Sequence, residues 1–316
     1  LWTTMRRTLI AALALAACAK PAPAPKLATS TLLTAIGDST TIIESVAIFG
    51  GKLYTTSWQG TIYEIDPAAP TPKVVGRLPI SCGYLGEVAD SAGNLLIACQ
   101  DSGTVYRVAH DRLGATDFDP KKDAKVFITG AGHANGITIA PDGHVWISGG
   151  DVDAMYHTGP NGGKAILFAE HFSPVSVDTT IPVRIYVTNG AAVDSKGNVY
   201  TMNTGTGTIW RLEVKPDHQL GAITKVVEST MLVGADGVVV GPGDTLYATQ
   251  NFRNGFSKIS PTGAITVLVA MDTTLRFPAE LVRDGSTFYI ANLNFPVGTN
   301  ANGHKPGATI AKVTLP

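Results

Sequence analysis

Six segments of this chain say nearly the same thing, and that repetition constrains the fold more than any single motif. They are IESVAIFGGKLYTTS from Ile43, LGEVADSAGNLLIAC from Leu85, NGITIAPDGHVWISG from Asn135, NGAAVDSKGNVYTMN from Asn189, DGVVVGPGDTLYATQ from Asp236 and PAELVRDGSTFYIAN from Pro278. Each reads as a short strand, a Gly-containing turn and a second strand. Several continue into a third strand, as in QGTIYEID, SGTVYRVA and TGTIWRLE, and then a fourth, as in KVVGRLP, KVFITG, KAILFAE and ITVLVA. Four short antiparallel strands recurring at roughly 40 to 50 residues are the signature of a propeller blade. The expected fold is therefore all-β, a six-bladed β-propeller with four-stranded antiparallel blades around a central channel. The stretch near Leu32 is expected to supply the strand that closes the ring. No segment sustains a 3.6-residue apolar period with caps, so helix is a minor component.

The repeat also sets a register. Counting back eleven residues from Leu96, Trp146, Tyr200, Tyr247 and Tyr289 gives Leu85, Asn135, Asn189, Asp236 and Pro278, and counting back ten from Tyr54, whose turn is shorter, gives Glu44. Radial repetition places equivalent positions of the innermost strands at one depth around the axis. Glu44, Asn135, Asn189 and Asp236 then converge as a set of hard oxygen donors with a charge of about -2, the donor type that a divalent cation such as Ca²⁺ takes. Leu85 and Pro278 cannot ligate, which leaves open positions. Taken singly, an Asn-Gly or Asp-Gly is a common turn dipeptide; four oxygen side chains in one register is the less ordinary reading.

With these residues in view, the chain resembles the SMP-30/gluconolactonase superfamily, which also includes the paraoxonases and diisopropyl fluorophosphatase. The resemblance rests on Asn189-Gly190 and Asp236-Gly237, each followed by an apolar run, and on the blade pattern over most of residues 38 to 316. It implies one catalytic divalent cation in the channel held by Glu44, Asn135, Asn189 and Asp236, and hydrolysis of a small lactone or ester. Under it Asp236 is the candidate general base or nucleophile. His133, where the family often has an Arg, is a candidate for proton shuttling or substrate binding. Glu44-Ser45-Val46 departs from the usual Glu-Gly-Pro.

The start of the chain reads as an address. Met5-Arg6-Arg7, a short apolar stretch and small residues make a signal peptide over residues 1 to 18, and Leu15-Ala16-Ala17-Cys18 resembles a bacterial lipobox with Cys18 as the acylated residue. An ordinary signal peptide with an incidental Cys is the alternative. Residues 19 to 36, with KPAPAPK, read as a Pro/Ala-rich tether, and residues 37 to 316 as the propeller. The expected location is the bacterial cell envelope, with the lipid anchor as the sole membrane contact. Cys82 and Cys99 form a disulfide or remain two buried thiols; both readings stand.

Composition removes some partners. A net charge of -1 and the lack of a Lys/Arg cluster argue against nucleic acid, leaving a small-molecule substrate and a monomeric state as the expectation. The remaining histidines, His144, His157, His171, His218 and His304, show no helical pairing, so no zinc site or Ser/His/Asp triad is expected. Trp58, Trp146 and Trp210 are expected to serve blade packing. The competing functional class is a non-enzymatic, lipid-anchored NHL-like propeller that binds a protein, peptide or glycan. A lyase similar to the streptogramin-cleaving propellers is a third option, set back because those have more blades and a catalytic His without an evident counterpart here.

Overall fold

The computed structural model describes residues 27–174, 186–300 and 307–316. Six antiparallel sheets of four strands surround a central axis. Blade one runs Ala47–Phe49, Lys52–Thr56, Thr61–Asp66 and Ala69–Arg77, and blade two Tyr84–Ala89, Leu95–Cys99, Thr104–Val108 and Ala124–Thr129. A two-residue strand, Gly163–Lys164, adds to the outer edge of blade two in parallel. Blade three comprises Ile137–Ile139, Val145–Ser148, Ala154–Thr158 and Ile166–Glu170, and blade four Ala191–Val193, Val199–Asn203, Thr208–Val214 and Leu220–Glu228. Blade five comprises Ala235–Val240, Leu246–Gln250, Gly255–Ile259 and Ile265–Val269.

Blade six joins both ends of the chain. Its inner strands are Pro278–Asp284, Thr287–Asn292 and Thr309–Thr314, and its outermost strand is Thr29–Ala35, which pairs antiparallel with Thr309–Thr314. The closing strand expected near Leu32 is thus present, and strand structure begins inside the stretch read as tether. TSTLLTA is rich in Thr and apolar residues, a composition that fits a half-covered outer strand. Cys18 and the rest of the leader lie outside the described residues.

Between blades, apolar side chains of neighbouring sheets interdigitate. Ile43, Leu53 and Ile65 of blade one meet Tyr289, Ala291 and Ile310 of blade six in one such cluster. The one α-helix among the described residues is the single turn Pro120–Asp123, capped by the Asp119 carboxylate, which accepts from Lys121 N. No helix of the described residues is long and apolar enough to cross a membrane.

Cys82 and Cys99 are joined in a disulfide with a Cα–Cα distance of 5.6 Å, which decides between the two readings of that pair. The bond ties the entry of blade two's innermost strand to the end of its second strand.

One register expectation needs correction. Blades two to five turn from first to second strand through longer hairpins, but blade six, like blade one, uses a two-residue turn: Asp284 pairs directly with Thr287 across Gly285-Ser286. The count back from Tyr289 is therefore ten residues, and the sixth ring position is Ala279 rather than Pro278. Glu280 follows it.

Candidate metal centre

The innermost strands approach one another so closely that only small residues fit after each ring position. Those residues are Ser45, Gly86, Gly136, Gly190, Gly237 and, in blade six, the exception, Glu280. A Cβ on Gly86 would lie 2.1 Å from the Asn135 carbonyl oxygen, one on Gly136 2.7 Å from Ala191 N, one on Gly190 2.6 Å from the Asp236 carbonyl oxygen, and one on Gly237 2.6 Å from Glu280 Cα. None of the four has a positive φ. The Gly that follows Asn135, Asn189 or Asp236 is thus a close-approach glycine, not a turn glycine. The space is used for hydrogen bonds between blades: Gly86 N donates to Asn135 O (2.9 Å), Gly190 N to Asp236 O (3.0 Å) and Glu280 N to Glu44 O (2.9 Å). The backbones of three of the four predicted ligands are fixed by an adjoining blade.

Their side chains are buried together. Glu44 and Asp236 are 3 % exposed, and Asn135 and Asn189 are 0 % exposed. Asn135 Nδ2 donates to Glu44 Oε1 at 3.5 Å. Asn189 Nδ2 donates to Thr204 Oγ1 at 2.9 Å, and Thr204 passes the bond on to Ala235 O at 2.8 Å. Asn251 Nδ2 donates to Asp236 Oδ2 at 2.8 Å. With the three amide NH₂ groups committed in this way, Asn135 Oδ1, Asn189 Oδ1 and Asn251 Oδ1 are left buried without a hydrogen-bond donor, as is Asp236 Oδ1. Stranded acceptors of this kind are costly unless something cationic meets them. The donor set, all hard oxygen, fits a cation of the Ca²⁺ type.

Two acidic residues extend the cluster. Glu280 reaches back over the glycines, with Oε1 3.1 Å from the site of a Gly190 Cβ and Oε2 2.9 Å from that of a Gly237 Cβ. Glu87 lies two residues beyond ring position Leu85. Both line an axial channel of about 370 Å³ bounded by the inner strands of all six blades. Burial pushes Asp236 up to about 7, with the Asn251 amide partly opposing it. Burial, then the charges of Asp236 and Glu280, hold Glu44 well above the usual carboxylate range. Glu280 is raised by burial and by Asp236, and burial raises Glu87 to about 7. Among the described residues no cationic side chain pairs with any of these four.

On the other side of the ring, Glu44 and Asp236 face a cavity of about 320 Å³. An aromatic arc forms much of its wall. Phe252 meets Phe277 at 5.6 Å, Phe277 meets Phe295 at 5.3 Å, and Phe295 meets Trp58 at 5.8 Å between ring centroids. Phe277 takes a left-handed backbone (φ 55°), a conformation uncommon for a bulky residue. Gln100, Tyr186, Thr204 and Asn251 add polar edges, and no described lining residue is basic. Trp58 was expected to pack within its blade; it instead follows the second strand and lines this cavity, and its Nε1 is buried without a hydrogen-bond partner. Trp146 does pack within a blade, being 1 % exposed.

His133 is not among the described residues that line the cavity. It lies two residues before Asn135, and its Nδ1 is 2.6 Å from Asp151 Oδ1. The histidines, scattered in sequence, are not scattered in space: His144, His157 and His218 gather at the boundary of blades three and four. Sequence reasoning missed Glu280 through the one-residue count, and it missed the aromatic wall because its members come from loops outside the repeat.

A six-bladed propeller whose inner strands present acid and amide oxygens at the axis is the class of protein that fold and site define. The family model described as SMP-30/Gluconolactonase/LRE-like region matches residues 48–291, and the chain belongs to that family. Solved structures similar to it share the fold at low identity. A gluconolactonase from Xanthomonas campestris has a TM-score of 0.64 and 15% identity, with 92% of this chain and 90% of that chain covered. For a luciferin-regenerating enzyme the values are 0.66 and 13%, covering 91% and 95%. A virginiamycin B lyase from Staphylococcus aureus gives 0.59 and 14%, covering 92% and 99%. No curated protein sequence matches the chain.

Proposed function

We propose that this protein is a metal-dependent hydrolase of the lactonase or esterase type, acting on a small and largely apolar lactone or ester. The observation that carries the reading is the set of stranded acceptors, Asn135 Oδ1, Asn189 Oδ1 and Asp236 Oδ1, in a ring whose Glu44 and Asp236 line a largely aromatic cavity. Glu44, Asn135, Asn189 and Asp236 would hold the cation, Ca²⁺ by donor type, which when bound would supply Lewis-acid stabilisation of negative charge developing on the substrate oxygen. The aromatic arc binds the apolar body of the substrate and keeps bulk water from the ring. Trp58 Nε1–H is a donor in the same wall without a protein acceptor, suited to a substrate carbonyl oxygen. Asp236, with one oxygen held by Asn251, would also be the carboxylate beside the open positions that takes a proton from the attacking water.

An aromatic cavity with acidic and no basic described lining residues supports an alkyl or aryl substituent over a polyanionic substrate. The reading extends to location: export is supported by the Cys82–Cys99 bond, because disulfides persist in oxidising compartments, and lipidation at Cys18 rests on the lipobox resemblance of Leu15-Ala16-Ala17-Cys18. Mass spectrometry of the mature N-terminus tests the anchor. For the activity, turnover of lactones, aryl esters and phosphotriesters is measured with Ca²⁺, with EDTA and in Asp236→Ala. Undiminished hydrolysis after both treatments would refute the mechanism, and absence of turnover across the panel would favour a binding module.

A further inference from the structure

At the end of the blades opposite the ring, the turn after blade three's innermost strand meets the turn between the third and fourth strands of blade four. Asp142 Oδ2 lies 2.8 Å from His218 Nε2 and 3.4 Å from His144 Nδ1. One carboxylate oxygen and two imidazole nitrogens thus fall within 4.8 Å of one another. The local structure holds them there. Asp142 Oδ1 accepts from His144 N at 3.0 Å, which turns Oδ2 toward the two rings. His218 adopts a left-handed backbone (φ 61°), and its N–H bonds Lys215 O at 2.8 Å, so a strained turn aims its ring across the blade boundary. The His144 and His218 rings are stacked at 3.5 Å between centroids and 15° apart. His144 Nδ1 is buried and, despite facing Asp142, makes no hydrogen bond.

We propose that Asp142, His144 and His218 form a second metal site, for a borderline transition-metal ion of the Zn²⁺ type, that clips blade three to blade four. Two imidazoles and one carboxylate are a donor set that zinc accepts with water in the remaining position. It differs in kind from the axial ring, which has no nitrogen ligand and suits a harder ion. The rings lie nearly face to face, so for both in-plane lone pairs to meet one ion at least one ring turns about its Cβ–Cγ bond on binding. Lys196 and Lys215 flank the adjoining cavity and oppose a cation, and the Asp142 carboxylate offsets part of their field. His157 contributes packing rather than a ligand, stacked on Trp146 at 4.9 Å.

The site is independent of the hydrolase reading and is tested apart from it. Zn²⁺ is titrated calorimetrically into the full protein in excess Ca²⁺, so that the axial donors are occupied. One Zn²⁺ per chain is expected, with affinity lowered at least about tenfold in His144→Ala and in His218→Ala and retained in Asp236→Ala. Far-UV circular dichroism in EDTA checks that each variant folds. Should one fail to fold, Cu²⁺ bound to the wild-type protein decides: its electron paramagnetic resonance spectrum must show coupling to two imidazole nitrogens. No Zn²⁺ uptake by the wild-type protein, uptake unchanged in the His144→Ala/His218→Ala double variant, or a Cu²⁺ spectrum without that coupling would overturn the proposal.

Discussion

The backbone N–H of Gly190 donates to the carbonyl oxygen of Asp236 across the boundary between blades four and five, at 3.0 Å. The residue after one candidate ligand thereby fixes the backbone of the next. A side chain at Gly190 would start 2.6 Å from that same carbonyl oxygen and 3.0 Å from Val238 N, both backbone atoms that cannot swing aside. Gly190→Ala is expected to destabilise the protein by about 1–3 kcal/mol, the usual cost of forcing a methyl group into closed space, and to weaken Ca²⁺ binding in parallel. Urea unfolding with and without Ca²⁺ measures both. Gly159→Ala is the control, because a Cβ there meets nothing within 4 Å and φ is not positive. Equal stability of the two variants would contradict the close-approach account.

That relationship also explains what was readable in the sequence. The blade period survives because every blade needs the same hairpin, and Glu44, Asn135, Asn189 and Asp236 were countable because Tyr54, Trp146, Tyr200 and Tyr247 mark depth on their second strands. Glu280 was not, since blade six's turn is one residue shorter and the count overshot to Pro278. Trp58, Phe252, Phe277 and Phe295 share no register: they stand on connections between strands, where geometry is set blade by blade. The Asp142/His144/His218 group was hidden for a third reason. Its members belong to different blades, 74 residues apart between His144 and His218, and only ring closure makes those turns neighbours.

Four buried carboxyl groups with raised proton affinity make the metal-free protein sensitive to pH. Asp236 and Glu87 are held at about 7, and Glu44 and Glu280 well above their ordinary range, chiefly by burial. In the unfolded chain these groups lose their protons near pH 4. Between that pH and about 7 the folded protein binds more protons than the unfolded one, so stability falls as pH rises. The expected result is a Tm in EDTA that drops by at least about 5 °C from about pH 5 to pH 8. Ca²⁺ should stabilise most at the high end, where it replaces the lost protons. A flat or rising profile in EDTA would contradict this.

Glu280 separates the needs of the empty fold from those of the site. Its carboxylate adds like charge to Asp236 and Glu44 while supplying negative potential for a cation. Glu280→Gln keeps the shape and removes the charge. It is expected to raise the Tm in EDTA above pH 7 and to weaken Ca²⁺ about tenfold, the scale reported by outer-shell substitutions at metal sites. Thermal unfolding with and without Ca²⁺ reads both effects, and a loss of stability in EDTA would show that the glutamate is held by contacts its charge does not explain.

Trp58 tests whether the cavity wall takes part in chemistry or merely encloses it. The indole fills the wall against Phe295, and its Nε1–H lacks a protein acceptor. Trp58→Phe preserves most of the apolar contact and deletes the donor. If the N–H holds the substrate oxygen as charge develops there, kcat falls by about 10²-fold with little change in KM, because the interaction strengthens in the transition state. If the ring only packs against substrate, KM rises and kcat stays. Steady-state kinetics on an aryl ester distinguish the two, and retention of both constants would remove Trp58 from the proposed site.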